Sequence, residues 1–315
     1  MTQSAISSPL PDLARKHLPA EAAERWIGLL RPAARLVAVP EPGPEDVVVG
    51  KLGGLPALPE DMEWPVWEGH GPLSFVASVD CGALPTGALD IPLPADGTLA
   101  FFYFDGQIDD CEAVVHASDP ESWAGTRVVH IPAGVAVTER ALPVIDHQDE
   151  VDDEADDDDE DEDDEYVEFE AYTEVPLTVR VELTAPDVWH PDTMVALSPG
   201  GVVKDPQAKP EGTEAFLDAL YDLQSGTDHH IGGHAHPVQN PVEYEIAYGL
   251  LGNGIQWDDP RVTEEAKGWT LLAQIDTDGH ADMMWGDCGA LYWLMRPEDL
   301  AERRFDRAMF TMQCC

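Results

Sequence analysis

The fold of this 315-residue chain is decided by the stretch GTLAFF at residues 97–102. The stretch is short and apolar, it continues into Tyr103 and Phe104, and Asp-Gly pairs flank it at 96–97 and 105–106. Such runs between turn-forming pairs are typical of a β-strand that is covered on both faces. The stretch GALYWL at residues 289–294 has the same leading glycine, followed by small and aromatic residues. The sequence therefore predicts two similar buried strands.

Two further segments recur in the same order along the chain. Residues 75–80 (FVASVD) are echoed by residues 271–276 (LLAQID), and the turn Gly53-Gly54 is echoed by Gly232-Gly233. A Gly-Gly turn, a strand that ends in Asp and a Gly-led aromatic strand follow one another in both halves. Self-similarity of this kind predicts a repeated structural unit. We expect an α+β fold of mainly antiparallel sheets, with an internally duplicated β-rich unit.

The N-terminal part of the chain has a helical pattern instead. Within residues 9–38 we predict helix in two pieces, because apolar residues such as Ala23, Trp26 and Ile27 share one face. From Val47 onward, glycine, proline and short apolar runs predict strands and turns. The predicted organisation is an N-terminal helical segment (1–46), a first β-rich copy (47–145), an acidic insert (146–165) and a second β-rich copy (166–315) that forms one body with the first.

The chain is strongly acidic, with 62 Asp and Glu against 17 Lys and Arg and a net charge of −45. Fifteen of the seventeen residues 149–165 are acidic. So dense a block of like charge repels itself, and we expect a disordered loop there. The charge excludes a protein that holds nucleic acid through its phosphates, and it argues against docking on anionic membranes. It fits a basic protein partner that is attracted electrostatically.

The cysteines and the first residues predict a cytoplasmic location. Residues 1–10 lack the basic-then-apolar pattern of a signal peptide. The sequence holds no stretch of 18 uncharged apolar residues. Its five cysteines include no C-x-x-C pair, which is typical of reduced thiols rather than of a disulfide framework.

Four imidazoles stand close together, at His229, His230, His234 and His236. Imidazole nitrogens are good ligands for zinc, nickel or copper, and Asp276 would complete such a site if the fold brings it near. The helical H-E-x-x-H signature is absent, and ordinary loop histidines are the other interpretation. The sequence shows no phosphate-binding loop, dinucleotide fingerprint or nucleophile elbow, so we predict no cofactor and no catalytic residue.

The nine tryptophans supply candidates for a binding surface. Tryptophan serves both as a core residue and as an interface anchor. Trp64, Trp67 and Trp257 stand beside Pro, Glu or Asp, and we expect them to rim an acidic cleft between the two copies. The full set of candidate binding residues is Gly53, Gly54, Trp64, Trp67, Gly232, Gly233, Gln239, Trp257, Asp276, Trp285 and Asp287.

Several short motifs, taken together, resemble the YwqG-like family of bacterial proteins. They are KLGGLP at 51–56, LLAQID at 271–276, MWGD at 284–287, the Gly-Gly segment 232–239 and the ending MQCC at 312–315. The resemblance covers roughly residues 49–315 apart from the acidic insert, which departs from the family pattern as the extra histidines do. It implies an α+β fold rich in antiparallel sheet with internal duplication, and it implies no established activity.

Three functions stay open from the sequence. By analogy with small immunity-type proteins that neutralise toxins in the bacterial cytoplasm, the resemblance favours a non-enzymatic protein-interaction module. A metal-dependent enzyme that uses the His229–His236 loop is the alternative. A small-molecule sensor that uses the cleft between the copies is the third.

Overall fold

The computed structural model describes residue 6 and residues 8–109, 111–145, 169–205, 208–224, 226–252 and 254–314. The acidic segment 149–165, and with it the predicted insert 146–165, lies outside the described residues.

Helices and strands both contribute to the described chain. Its α-helices are α1 (Leu10–His17), α2 (Ala20–Ile27), α3 (Pro191–Leu197), α4 (Glu214–Gln224), α5 (Val242–Leu251), α6 (Pro260–Ala266) and α7 (Pro297–Ala301). Its strands are β1 (Arg31–Ala38), β2 (Gly50–Leu52), β3 (Ala57–Pro59), β4 (Val66–Trp67), β5 (Gly71–Pro72), β6 (Ser74–Asp80), β7 (Thr98–Tyr103), β8 (Thr126–Ile131), β9 (Val137–Glu139), β10 (Val175–Thr184), β11 (His229–Ile231), β12 (Thr270–Asp276), β13 (Ala290–Met295) and β14 (Met309–Gln313). Short 3-10 turns stand at Thr86–Ala88, Ser122–Gly125, Pro199–Gly201 and Phe305–Arg307.

Ten of these strands form one large antiparallel sheet, in the order β14-β13-β12-β11-β1-β10-β2-β6-β7-β8. The central pair is β1 with β10, which runs from Arg31 opposite Thr184 to Ala38 opposite Leu177. The other neighbour of β1 is β11, whereas β2 pairs with β10. Two small sheets, β3-β9 and β4-β5, complete the strands. The predicted mixed fold with a mainly antiparallel sheet is confirmed.

Strand β1 corrects the prediction of helix as far as residue 38. The helices end with α2, and Gly28 follows it as the C-cap. Pro32 is unsuited to a helix interior, because it lacks the N–H donor and clashes with the preceding turn. Beyond it, Ala34 and Leu36 point into the core while Arg35 lies on the opposite face, as in a strand. Hydrogen-bonding neighbours on both sides, β10 and β11, hold this segment extended.

The two outer arms of the sheet, β2-β6-β7-β8 and β11-β12-β13-β14, have the same order from the centre outward. The pairing of β6 with β7 shifts its register between Phe75 and Ala77. The pairing of β12 with β13 shifts between Leu271 and Ala273. When the segments 75–80 and 271–276 are aligned, the two register shifts fall at the same positions, between the first and the third residue of each segment.

The sheet curls until strands near its two ends face each other across the main core. The ring of Phe101 on β7 lies 5.1 Å from that of Trp293 on β13, and Tyr103 stacks on Phe310 at 4.8 Å. The Trp293 indole N–H donates to the Thr126 hydroxyl at 2.8 Å. All four aromatic side chains are buried, so the apolar face of the sheet is closed to water.

Six of the seven helices in the described residues form two groups, and α7 contributes Leu300 to the main core. In the first group, α1, α2, α3 and α4 pack on one another, with Trp26 and Phe216 edge to face at 4.9 Å. In the second group, α5 packs on the sheet, where its Val242 and Ile246 join the cluster of Leu271, and α6 packs on α5. Among the described residues, no helix is both long enough and apolar enough to cross a membrane.

Candidate functional site

A cleft of about 300 Å³ lies on the face of the central strands that is turned away from the core. Alternate side chains of one strand share a face, so this floor is built from every second residue of its strands. Its lining includes Ala33 and Arg35 on β1, Arg180, Glu182 and Thr184 on β10, and His230 on β11. The start of α1, Leu223, Asp228 and His236 complete the walls. We call this the polar cleft.

Asp228 is the centre of a buried ionic network at the bottom of the polar cleft. Its side chain is 4% exposed. The Arg35 guanidinium donates to one carboxylate oxygen, and His230 Nδ1 lies 3.3 Å from the same oxygen. His236 Nδ1 contacts the other oxygen. Burial alone would raise the pKa of Asp228, but His230 and His236 outweigh it and hold that pKa well below its usual range.

His230 is buried between two sets of oxygen acceptors. Its Nδ1 lies 3.2 Å from the carbonyl oxygen of Asp228, and its Nε2 lies 3.0 Å from the carbonyl oxygen of His234. Carbonyl oxygens only accept hydrogen bonds, so both ring nitrogens carry a proton and the ring is charged. Burial alone would lower the pKa of His230, but the Asp228 carboxylate raises it above its ordinary value.

His229 forms a second, separate pair with Asp278. Its Nδ1 accepts the backbone N–H of Asp276 at 3.0 Å, which leaves Nε2 to donate to the Asp278 carboxylate at 3.1 Å. This bond is the main reason why the pKa of Asp278 is lowered to about 2. His229 therefore links β11 to the hairpin that follows β12.

His234 and Asp276, two more of the candidate metal ligands, are also bound by the protein. His234 Nε2 donates to the carbonyl of Leu29 at 2.7 Å, and burial lowers the pKa of His234 to about 3. The Asp276 carboxylate accepts the Asp228 N–H at 2.7 Å and the Gln274 amide at 2.8 Å, and burial raises its pKa. In the part of the chain that the structure describes, no group of three or more His, Cys, Asp or Glu is arranged to hold a metal ion.

Buried polar side chains of the strands hold residues 234–240 across this face of the sheet. Gln274 on β12 accepts the backbone N–H of His236 at 2.8 Å. The Tyr292 hydroxyl on β13 donates to the carbonyl of His236 at 2.9 Å. These two bonds fix the backbone of His236, and with it the side chain that reaches Asp228.

Gln313 on β14 continues this arrangement. Its amide oxygen accepts the N–H of Gln239 at 3.0 Å, and its amide nitrogen donates to the carbonyl of Asn240 at 2.8 Å. The Gln239 amide in turn donates to the carbonyl of Cys314. Gln313 and Cys314, from the last of the motifs that carry the family resemblance, therefore join the segments 232–239 and 271–276 in one hydrogen-bonded structure.

The two Gly-Gly turns, which the sequence nominated together, lie at opposite ends of β10. A Cβ on Gly53 would meet the Thr173 carbonyl at 2.4 Å, and a Cβ on Gly233 would meet the Thr184 hydroxyl at 2.5 Å. All four glycines have φ between +56° and +74°. Ten strand residues at 3.3 Å each separate the turns by roughly 30 Å. The turns therefore do not line a common cleft.

Two of the nominated tryptophans are buried and a third is partly buried. Trp67 is 7% and Trp285 2% exposed, and Trp64 is partly buried with its N–H donating to the Leu73 carbonyl at 2.8 Å. A large apolar ring gains from burial even where Pro or Glu stands beside it in the sequence, as for Trp64 and Trp67. Trp257 is different, because 43% of it is exposed.

Asp287 is exposed in the turn before β13, and neither it nor Trp257 lines the polar cleft. The sequence interpretation named His230 and His236 but missed four charged residues of that cleft: Arg35, Arg180, Glu182 and Asp228. One signal was present, since Arg180 and Glu182 alternate with the apolar Val179, Val181 and Leu183.

The sequence profile of a family described as a domain of unknown function, DUF1963, matches residues 50–314. The chain belongs to this family. The matched region begins at β2 and takes in both arms of the sheet, the polar residues of β10 and β11, and Gln313. Strand β1, with Arg35, lies before it. A search of curated proteins found no match.

Proposed function

We propose that this protein acts by binding a basic protein partner and not by catalysis. The observation that carries the proposal is an exposed aromatic pair on α5 and the loop to α6, in a chain with a net charge of −45.

The aromatic pair belongs to a small apolar surface. Tyr248 is 36%, Leu251 38% and Trp257 43% exposed, and the rings of Tyr248 and Trp257 lie 5.4 Å apart. We call these three residues the α5/α6 patch. Tyrosine and tryptophan are enriched among residues that dominate binding energies, and their ring faces attract Arg and Lys side chains.

The surroundings of the α5/α6 patch favour a basic partner. Asp258, next to Trp257, is exposed. The cations of α6 and its end are already paired, Arg261 with Asp259 at 2.7 Å and Lys267 with Glu264 at 2.6 Å. Attraction between an acidic surface and a basic partner raises the association rate and weakens with salt.

The chemistry of the polar cleft supports binding over catalysis. A histidine that activates a nucleophile needs an unprotonated nitrogen directed at a hydroxyl or thiol. His230 instead faces oxygen acceptors with both nitrogens and carries a charge. A metal-dependent enzyme built on the His229–His236 loop is the alternative function, and stoichiometric metal in untagged protein, measured by elemental analysis, would favour it over ours.

We also propose that the two arms of the sheet arose by internal duplication, supported by their shared strand order and by the matching register shifts in β6–β7 and β12–β13. An immunity-type role, in which the protein neutralises a basic toxin by covering its surface, is one that the α5/α6 patch would serve.

The test compares wild-type protein with Trp257→Ala as bait for partners in native lysate. Trp189→Ala is a matched control, because Trp189 is 42% exposed and lies outside the patch. We expect wild type and the control to retain the same basic protein, and Trp257→Ala to lose it. The association rate of the purified pair should fall at least tenfold between about 0.05 M and 0.5 M salt. The proposal is wrong if no basic protein is retained at low salt, or if Trp257→Ala retains it equally well.

A further inference from the structure

A second cavity adjoins the polar cleft. It has a volume of about 380 Å³, and His236 lines both spaces. Its walls are mostly apolar, with Leu217, Leu220 and Tyr221 from α4 facing Val188. We call it the apolar cavity. Each space lies in the range of 300–1,000 Å³ that small-molecule sites occupy.

The polar cleft has a net charge of opposite sign to that of the whole chain. Arg35, Arg180 and the charged ring of His230 line it, against the two carboxylates of Glu182 and Asp228. The cleft therefore has one positive charge in excess, although the chain as a whole carries −45. Such a balance favours a ligand with one negative charge, since a second would be repelled by the carboxylates.

Of the two arginines in the polar cleft, Arg180 is the one that a ligand can reach, and the apolar cavity adds Lys209 to its lining. Arg35 is 23% exposed and is held by Asp228 and by the carbonyl of Thr227. Arg180 is 60% exposed, and its contact with Glu182, at 2.6 Å, uses Nε. Its two Nη atoms make no hydrogen bond to the described residues. A guanidinium held in this way presents a planar pair of donors that fits a carboxylate.

We propose that the polar cleft and the apolar cavity together bind a small monocarboxylate with an apolar body. The carboxylate pairs with the Nη atoms of Arg180, Glu182 fixes the orientation of that guanidinium, and the apolar body lies against Leu217, Leu220 and Tyr221. Asp228 keeps His236 at the junction between the two spaces. This site is separate from the α5/α6 patch, so binding to one can fail while the other stands.

The experiment titrates the protein with 3-phenylpropanoate by isothermal calorimetry, and follows the same titration by ligand-observed NMR. The comparison ligands share the phenyl body: 3-phenylpropan-1-ol is neutral, 3-phenylpropylamine is a cation, and phenylalanine adds an ammonium group. We expect saturable binding of 3-phenylpropanoate, and at least tenfold weaker binding of the alcohol and the amine.

Two variants locate the site. Arg180→Gln should weaken 3-phenylpropanoate binding at least tenfold, and Tyr221→Ala, which truncates a side chain that is 77% exposed, should weaken it several-fold. Arg261→Gln is the matched control, because Arg261 is also an exposed arginine that pairs with a carboxylate two residues away, and it should bind like wild type. Thermal unfolding of each variant establishes that it is folded.

Several results would overturn the proposal. One is the absence of saturable 3-phenylpropanoate binding up to about 10 mM. Others are 3-phenylpropylamine binding as tightly as 3-phenylpropanoate, and phenylalanine binding where 3-phenylpropanoate does not. The last is an affinity for 3-phenylpropanoate that is unchanged in folded Arg180→Gln. The proposal would be supported if 3-phenylpropanoate and phenylalanine both bind to wild type and their binding is lost in Arg180→Gln.

Discussion

Replacing Asp228 by Asn tests whether the network under the polar cleft is ionic as its geometry indicates. The substitution keeps the shape of the side chain but leaves the charges of Arg35 and His230 without their carboxylate. Removing one partner of a buried ion pair costs about 3–5 kcal/mol of unfolding free energy. Arg35 and His236 are each 23% exposed and regain some hydration, so we expect the lower end, about 3 kcal/mol.

Urea denaturation at pH 6 measures this loss. The slope of unfolding free energy against urea reaches about 3 kcal/mol per molar for small proteins and increases with size. The midpoint should therefore fall by up to about 1 M while the slope stays unchanged. Asp259→Asn is the control, because Asp259 is an exposed carboxylate paired with Arg261 and asparagine preserves its N-cap role. No resolvable shift is expected for it.

The pH dependence gives the sharper signature. The pKa of His230 is raised on folding, so its contribution is complete below the unfolded value of about 6.5 and is lost as pH rises through the folded value. The pKa of Asp228 is lowered, so its contribution is complete above the unfolded value of about 3.9 and is lost at lower pH. The difference between wild type and variant should be largest near pH 4–6.5 and shrink above it, by up to about 1.4 kcal/mol per pH unit. A difference below about 1 kcal/mol that is flat from pH 5 to 8 would refute an ionic network.

Two other substitutions and one labelling reaction test the scaffold. Gln313→Ala removes a donor and an acceptor that hold residues 239–240. Backbone amide hydrogen exchange at these residues should become about fivefold faster. Unchanged exchange would show that Gln313 does not hold this segment. Gly233→Ala should lower the unfolding free energy by about 3 kcal/mol or more, because the new Cβ overlaps its neighbours. Gly212 has a similar φ but open space around it, so Gly212→Ala should lower the unfolding free energy by about 1 kcal/mol. Equal losses in urea denaturation would show that the turn is not closely packed. The Cys81 thiol should react with iodoacetamide far more slowly than the exposed thiol of Cys288, because burial raises the pKa of Cys81 to about 12. Mass spectrometry measures the labelling of each cysteine. Equal labelling of the two would show that Cys81 is not buried.

Local patterns were sufficient to predict much of the sheet. The apolar run at residues 98–103 forms β7, and those at 270–276 and 290–295 form β12 and β13. These runs are short, bounded by turn residues and apolar on both faces, so their preference for strand does not depend on distant partners. The prediction of helix as far as residue 38 was wrong, because the structure of that segment is set by strands far away in the sequence.

The polar cleft could not be predicted for the same reason. Asp228 looks like an ordinary loop residue beside histidines, and its role appears only when Arg35 from β1 reaches it across 193 positions. Burial was equally hidden for Trp64 and Trp67, because the Pro and Glu residues beside them do not reveal how the chain curls. The histidine-rich segment 229–236, which the sequence singled out, contributes His230 and His236 to this cleft, and the described structure uses its histidines for hydrogen bonds and ion pairs.

The pairing of β1 with β10, a strand far away in the sequence, has a consequence for synthesis on the ribosome. Strand β1 finds its first neighbour only when β10 is made, and the bond between the Thr184 hydroxyl and the Arg31 carbonyl spans 153 positions. At about 5–20 residues per second, the emerging chain waits roughly 8–30 s before its first strand can pair. During that interval β1 has neither of its two neighbouring strands, so we expect Leu36 to stay exposed, and to be open to chaperone binding, until β10 is made.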